Sequence, residues 1–223
     1  SEYNGLEEIM LPARSVWTPD ISLDNGIEEV VDEKLKNNFQ VIVTSEGHVQ
    51  WSPGGIFKTQ CPMDITKLPF DTQKCEIKFA CWTSSGSHVL LINETSEVYL
   101  DGYEGTAQWE IIGTSSTGGS VYYDSSPGVP YPYVTFSITL KRKPKYYIMN
   151  IVVPTILISL VALMVFLMPP ETGEKVGLGI TVMLSFSVFL LILNENMPKT
   201  SDATPLIGTY VTLVMGVTTC SIV

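Results

Sequence analysis

Only two histidines, His48 and His88, occur in the 223 residues, and neither lies at a spacing that suits a metal ligand set or a catalytic triad. A glycine-rich phosphate loop is missing too. An enzyme is therefore not expected, nor are a metal, another cofactor or a nucleic-acid partner. Cysteine is scarce, with four residues at 61, 75, 81 and 220, and basic residues are outnumbered by acids, 13 to 23, for a net charge of -10. Charge is absent altogether from three runs, 146–170, 176–194 and 203–223. Each approaches or exceeds the roughly 18 to 20 apolar residues that span a bilayer as a helix. The opening SEYNGLEEIM is neither a signal peptide nor a recognisable domain start, and the chain ends within an apolar run. It reads as an internal piece of a longer chain.

What is present falls into two halves. Residues before about 145 hold most of the acids, many turn formers and short alternating runs, and so read as a water-facing β domain. The helices after it leave only the short connectors PPETGEK and ENMPKTSD. The side of the membrane is contested. Lys141, Arg142, Lys143 and Lys145 abut the first apolar run and would place the β domain in the cytoplasm by the positive-inside rule. Cysteine geometry argues for the outside. In CEIKFACW, Cys75 and Cys81 share one face of a strand about 20 Å apart and cannot bond to each other. Cys61 and Cys75 flank thirteen residues containing Pro62 and Pro69, a loop that closes easily, and a disulfide implies an oxidising compartment. The sequon Asn93-Glu94-Thr95 points the same way, with Asn93 as the glycan acceptor. The β domain is therefore expected outside.

From 174 to 195 a heptad-like spacing gathers Glu174, Gly177, Thr181, Leu184, Val188, Leu191 and Glu195 on one helical stripe. Gly and Thr in such a helix also serve packing. Copies of this helix around an aqueous path would turn each position into a ring. Carboxylate rings select cations, hydroxyls replace hydration, and Leu or Val rings close by dewetting. Lys175 points about 100° away from Glu174, so the stripe carries no positive charge. A second feature is the loop YYDSSPGVPY at 122–131, a Ser-Pro-Gly turn bracketed by tyrosines. In the strand that follows it, Val134, Phe136, Ile138 and Leu140 alternate with Tyr131, Tyr133 and Thr135, which places the second set on the outer face.

CPMDITKLPFDTQKC resembles the signature loop of the Cys-loop receptors, the pentameric ligand-gated ion channels, and is most similar to nicotinic acetylcholine receptor subunits. WTPD at 17–20, Pro154, GEK at 173–175 and SDATPLIGTY follow in the family's order, so the resemblance covers essentially the whole chain. It implies an extracellular Ig-like all-β sandwich at 1–143 lacking its N-terminal part. Transmembrane helices one to three follow at 144–223, without the fourth helix and cytoplasmic segment. It further implies a multi-pass plasma-membrane protein, postsynaptic, assembled as a homo- or hetero-pentamer around a pore for cations. GEK is similar to the cation-conducting version, with the filter at Glu174 and Gly177 and the gate at Leu184 and Val188.

By the same resemblance, agonist binds between subunits in an aromatic cage matched here by Trp82, Tyr123 and Tyr131. A cationic amine suits such faces. Two departures stand out. Ser125 and Ser126 occupy the places of the adjacent cysteines of ligand-binding nicotinic subunits, and Asp24 occupies that of a further cage tyrosine. The cage is incomplete, which puts acetylcholine in question. The neighbouring subunit's face is matched by Ile42, Gln50 and Ser52, and gating contacts by Pro69, Phe70, Asp71 and Arg142 toward the connector at Pro198 to Asp202. Glu94, Glu97 and Asp101 fall in the family's mobile acidic loop. An accessory or orphan channel subunit is the alternative within this fold. A membrane-anchored Ig-like adhesion protein is the alternative outside it, and leaves the acidic, glycine and hydroxyl stripe without a use.

Overall fold

The structure, a computed structural model, describes residues 5–27, 39–169, 173–195, 197 and 204–222. Seven strands precede three helices: β1 (Glu8–Pro12), β2 (Ile21–Leu23), β3 (Gln40–Thr44), β4 (Val49–Trp51), β5 (Thr72–Cys81), β6 (Trp109–Tyr122) and β7 (Pro130–Arg142). They form a three-stranded sheet in the order β1-β3-β4 and a four-stranded sheet in the order β2-β5-β7-β6. The connector at Pro198 to Asp202, expected to receive the gating contacts, lies outside the described residues.

Contacts divide the chain into two units, one of residues 1–61, 75–101 and 114–138, the other of 62–74, 102–113 and 139–223. The segment between the two cysteines thus clusters with the helices rather than with the strands. In the first unit the β3–β4 hairpin turns at Gly47, whose φ of 88° suits a residue without a Cβ. Its register sets Val41 opposite Trp51 and Ile42 opposite Gln50, and Val41 is fully enclosed. In the other sheet Phe79 meets Phe57 and Phe136 edge to face, at 5.4 and 6.0 Å. Cys61 and Cys75 form a disulfide, while Cys81 is free and buried. One expectation fails on β7. Thr135, assigned to the outer face, is buried, as is Ser137. β7 is an inner strand, and polar side chains of β5 cover this face, with Ser137 Oγ 3.4 Å from Glu76 Oε1.

In the second unit α1 (Lys145–Leu167) and α2 (Glu174–Glu195) are long and apolar enough to cross a bilayer, and α3 (Leu206–Ile222) is a shorter apolar helix. α1 contains one π turn at Ile148–Val152, which ends two residues before Pro154. Proline cannot donate to the carbonyl four residues back, so the ladder loosens there. Hydroxyls on the helices bond their own backbone, among them Thr155 to Ile151 O, Ser159 to Thr155 O and Thr181 to Gly177 O. This keeps polar groups satisfied where water is absent. The core has two clusters. Ala162, Val165, Val182, Phe186 and Val211 join the three helices, and Ile65 and Leu68 from the inter-cysteine segment pack with Tyr147, Ile151, Phe189 and Leu193.

Candidate functional site

β2 and β5 pair so that Ile21 faces Cys81, which brings Asp20 beside the chain that leaves β5. Trp82 follows the buried Cys81 and is 76% exposed. Asp20 fixes the turn behind it. Its carboxylate accepts from Thr83 N and Oγ1, both at 2.5 Å, and from Ser84 Oγ at 2.6 Å and Ser84 N at 3.2 Å, while its own carbonyl accepts from Trp82 N at 3.4 Å. Burial alone would raise the Asp20 pKa, but the bonds from Ser84 and Thr83 outweigh it and hold the carboxyl well below its ordinary range. The same turn bonds the start of β7, Gly86 N to Pro130 O at 2.7 Å.

The loop between β6 and β7 is built as its sequence suggests. Ser126 N bonds Tyr123 O at 3.0 Å, Val129 N bonds Ser126 O at 3.2 Å, and Gly128 takes a positive φ of 77°. Tyr123 and Tyr131 meet edge to face with centroids 5.4 Å apart, closing the base of the loop. Ser125 is exposed at its tip and Ser126 is half-buried. Lys78 lies on β5 four residues before Trp82, which follows the strand's last residue, Cys81. Lys78 Nζ lies 2.6 Å from Asp24 Oδ2 and 4.8 Å from the centre of the Tyr133 ring. Asp24, which the resemblance sets in the place of a cage tyrosine, is thus paired with a lysine of its own chain.

On the other sheet Ile42 is half-buried and its register partner Gln50 is exposed, as is Ser52. Behind them, a cavity of about 540 Å³ lies between Trp17, Pro19, Ile21, Val41, Val49 and Trp51. Trp51 Nε1 is buried there without a hydrogen-bond partner among the described residues. Nothing in the sequence marks this cavity beyond the Val-Ile alternation of β3. Glu94, Glu97 and Asp101 are exposed, and the described residues contain no cluster of three or more His, Cys, Asp or Glu able to hold a metal ion. Asn93 Nδ2 donates to Thr95 O and Ser116 O, both at 3.3 Å, so a glycan on this nitrogen would displace one of two bonds.

In the second unit, all seven stripe positions of α2 are exposed, Leu184 by 64%, Val188 by 50% and Leu191 by 65% among them. Gly179, Val182, Phe186, Phe189 and Leu193 are the buried ones. The same unit holds Arg142 against Asp71. Pro69 is buried beside them and Phe70 projects outward.

Residues 1–144 match the neurotransmitter-gated ion-channel ligand binding domain, and residues 151–223 match the neurotransmitter-gated ion-channel transmembrane region. The chain belongs to the neurotransmitter-gated ion-channel family. Its relatives include the neuronal acetylcholine receptor subunit alpha-6 of Rattus norvegicus, 37% identical over the whole chain and 45% of the relative. The alpha-3 subunit of Carassius auratus is 38% identical, covering 43% of that protein, and the acetylcholine receptor subunit alpha-type acr-16 of Caenorhabditis elegans is 39% identical, covering 44%. The chain spans less than half the length of these relatives. As a member of this neurotransmitter-gated family, it carries both the ligand-binding and the transmembrane parts. Trp82 and the tyrosines at 123 and 131 fall in the first, and the whole α2 stripe in the second.

Proposed function

We propose that this chain is a subunit of a pentameric channel in which a small-molecule agonist, bound at the subunit interface, opens a central cation pore. The observation that carries the reading is the unbroken exposure of Glu174, Gly177, Thr181, Leu184, Val188, Leu191 and Glu195 while the opposite side of α2 is packed. Val176, Ile180, Ser187 and Ile192 beside the stripe are exposed too, but the stripe alone runs from acidic through hydroxylic to aliphatic along the whole helix, which suits it to line water. Glu174 and Glu195 attract cations, and Leu184 with Val188 forms the dry constriction. The agonist rests against Trp82, Tyr123 and Tyr131, held by the loop at 122–131, with Ile42, Gln50 and Ser52 of the adjacent copy facing it. Agonist favours the open state by its affinity difference between states. The Cys61–Cys75 disulfide supports an extracellular β domain, and we assign the channel to the plasma membrane at a postsynaptic site.

Recording currents from cells expressing the protein alone, under a panel of small amines, tests this. Agonist-evoked current that reverses at the cation equilibrium potential is expected, with Glu174→Ala reducing cation preference; silence toward every amine would refute gating of a homomer. A second reading, an accessory subunit, is favoured by Asp24 being paired with Lys78 and by Ser125-Ser126 at the loop tip. It predicts silence alone and recovery with a partner that carries adjacent cysteines.

A further inference from the structure

We propose that the cleft at the head of α1 seats a membrane phospholipid, its phosphate on Lys141 and Lys145 and its acyl chains along α1. The cleft belongs to the basic run KRKPK, of which the fold accounts for two members. Arg142 is enclosed against Asp71, and Lys143 Nζ donates to Thr106 O at 2.8 Å. Lys141 and Lys145 are exposed and have neither an ion pair nor a hydrogen bond from their side chains among the described residues. Between them opens a cleft of about 490 Å³ whose wall is largely apolar, with Phe70, Ile148 and Met149. Phe70 and Met149 are 67% and 61% exposed. Glu110 is the acid in the lining, so the local balance stays positive.

Depth decides what fits. Lys145 is the first residue of the 23-residue span α1, which at about 1.5 Å per residue crosses the roughly 30 Å hydrocarbon layer with its head in the interface. Below Met149 one exposed polar side chain, Asn150, turns its amide back to Tyr146 O at 3.0 Å, and past it the exposed side chains are apolar, through Val153, Ile156, Leu157 and Leu160. Two unpartnered cations above a largely apolar wall match a headgroup phosphate above acyl chains. An acidic loop from a neighbouring subunit would meet the lysines but leave that wall uncovered.

The test uses the purified, assembled protein in nanodiscs of phosphatidylcholine alone or mixed with phosphatidylglycerol, followed by native mass spectrometry of retained lipid. Retention of phosphatidylglycerol in preference to phosphatidylcholine is expected, weakening with added salt. Lys141→Gln with Lys145→Gln should lower it roughly 25-fold, about fivefold for each lysine, while Lys141→Arg with Lys145→Arg keeps it. Equal retention by the Gln variant, or wild-type retention indifferent to salt, overturns the proposal. Loss of assembly with lipid retained would give the cleft to a neighbouring subunit instead. No agonist enters the readout, so the outcome is independent of the channel's ligand.

Discussion

Arg142 and Asp71 meet in a two-pronged ion pair, Nε to Oδ1 at 2.7 Å and Nη2 to Oδ2 at 3.0 Å, with both side chains almost wholly enclosed. The remaining groups are satisfied as well. Arg142 Nη1 donates to Tyr147 OH at 3.0 Å, Gln73 Nε2 donates to Asp71 Oδ2 at 2.6 Å, and the guanidinium lies 4.1 Å from the centre of the Trp109 ring. A buried pair of this kind is costly to break rather than strongly stabilising in itself, because the survivor is left as an uncompensated charge.

Arg142→Gln should therefore cost about 3–5 kcal/mol, read as a lower melting temperature and reduced surface assembly. The double variant Asp71→Asn with Arg142→Gln should recover a large part of that loss. If the single variant melts like the wild type, the pair does not hold this unit together.

The pH dependence of the same pair follows from its signs. Burial raises the Asp71 pKa, but the bonds from Arg142 and Gln73 overcome it and the net shift is downward; burial lowers that of Arg142, and Asp71 more than restores it. A depressed carboxyl contributes stability that is present above the unfolded value of about 3.9 and is lost as pH falls through the folded value. The raised arginine stays protonated and contributes throughout the acid and neutral range. Melting should thus show no pH dependence from this pair between about pH 6 and 9, where its stabilisation is fully present, and a loss below about pH 4 that Asp71→Asn abolishes. A midpoint near neutrality in that difference would contradict the assignment.

Asp20 predicts a change in binding more than in fold. Asp20→Asn keeps the shape but loses the charge that gathers donors from Thr83 and Ser84, so the turn behind Trp82 loosens. Agonist affinity should fall by about tenfold, the value of one weakened charge-assisted bond, with only a small change in melting. Unaltered affinity would show that the turn does not position Trp82.

Much of this was legible because it rests on local pattern. The alternation of CEIKFACW placed Cys81 inward and Trp82 outward, and the spacing along α2 gathered seven positions that are all exposed, without any knowledge of neighbours. Other features depend on partners distant in sequence. Asp20 and Ser84 are brought together only by β2–β5 pairing, and Lys78 reaches Asp24 across the same strands. Thr135 was misassigned for a related reason. Alternation reveals that a side chain changes faces, but not that β5 side chains cover the polar face of an inner strand.

The Asp24–Lys78 contact leads to a prediction about ligand charge. Both side chains are partly solvated, at 33% and 28% exposure, so the pair itself contributes less than about 1 kcal/mol to stability. Asp24→Asn should accordingly leave melting nearly unchanged. It would nonetheless leave the Lys78 ammonium uncompensated beside Tyr133, and a cationic agonist should bind on the order of tenfold more weakly. High salt should shrink the difference. Adding Lys78→Gln should restore binding, and a double variant no better than the single one would remove Lys78 from the site.

The α2 stripe separates a gate from a filter. Leu184 and Val188 are exposed and aliphatic, one turn apart, and a ring of such side chains excludes water without any charge. Leu184→Ser should let water into that ring and produce current without agonist, while leaving selectivity for cations intact. Glu174→Gln should do the reverse, keeping the channel closed at rest but reducing the permeability ratio of cations over chloride, most visibly at low ionic strength where charge is least screened. The two effects arise at different depths and so should combine independently in the double variant. A resting leak from Glu174→Gln, or a selectivity change from Leu184→Ser, would mean that the stripe does not line one continuous path.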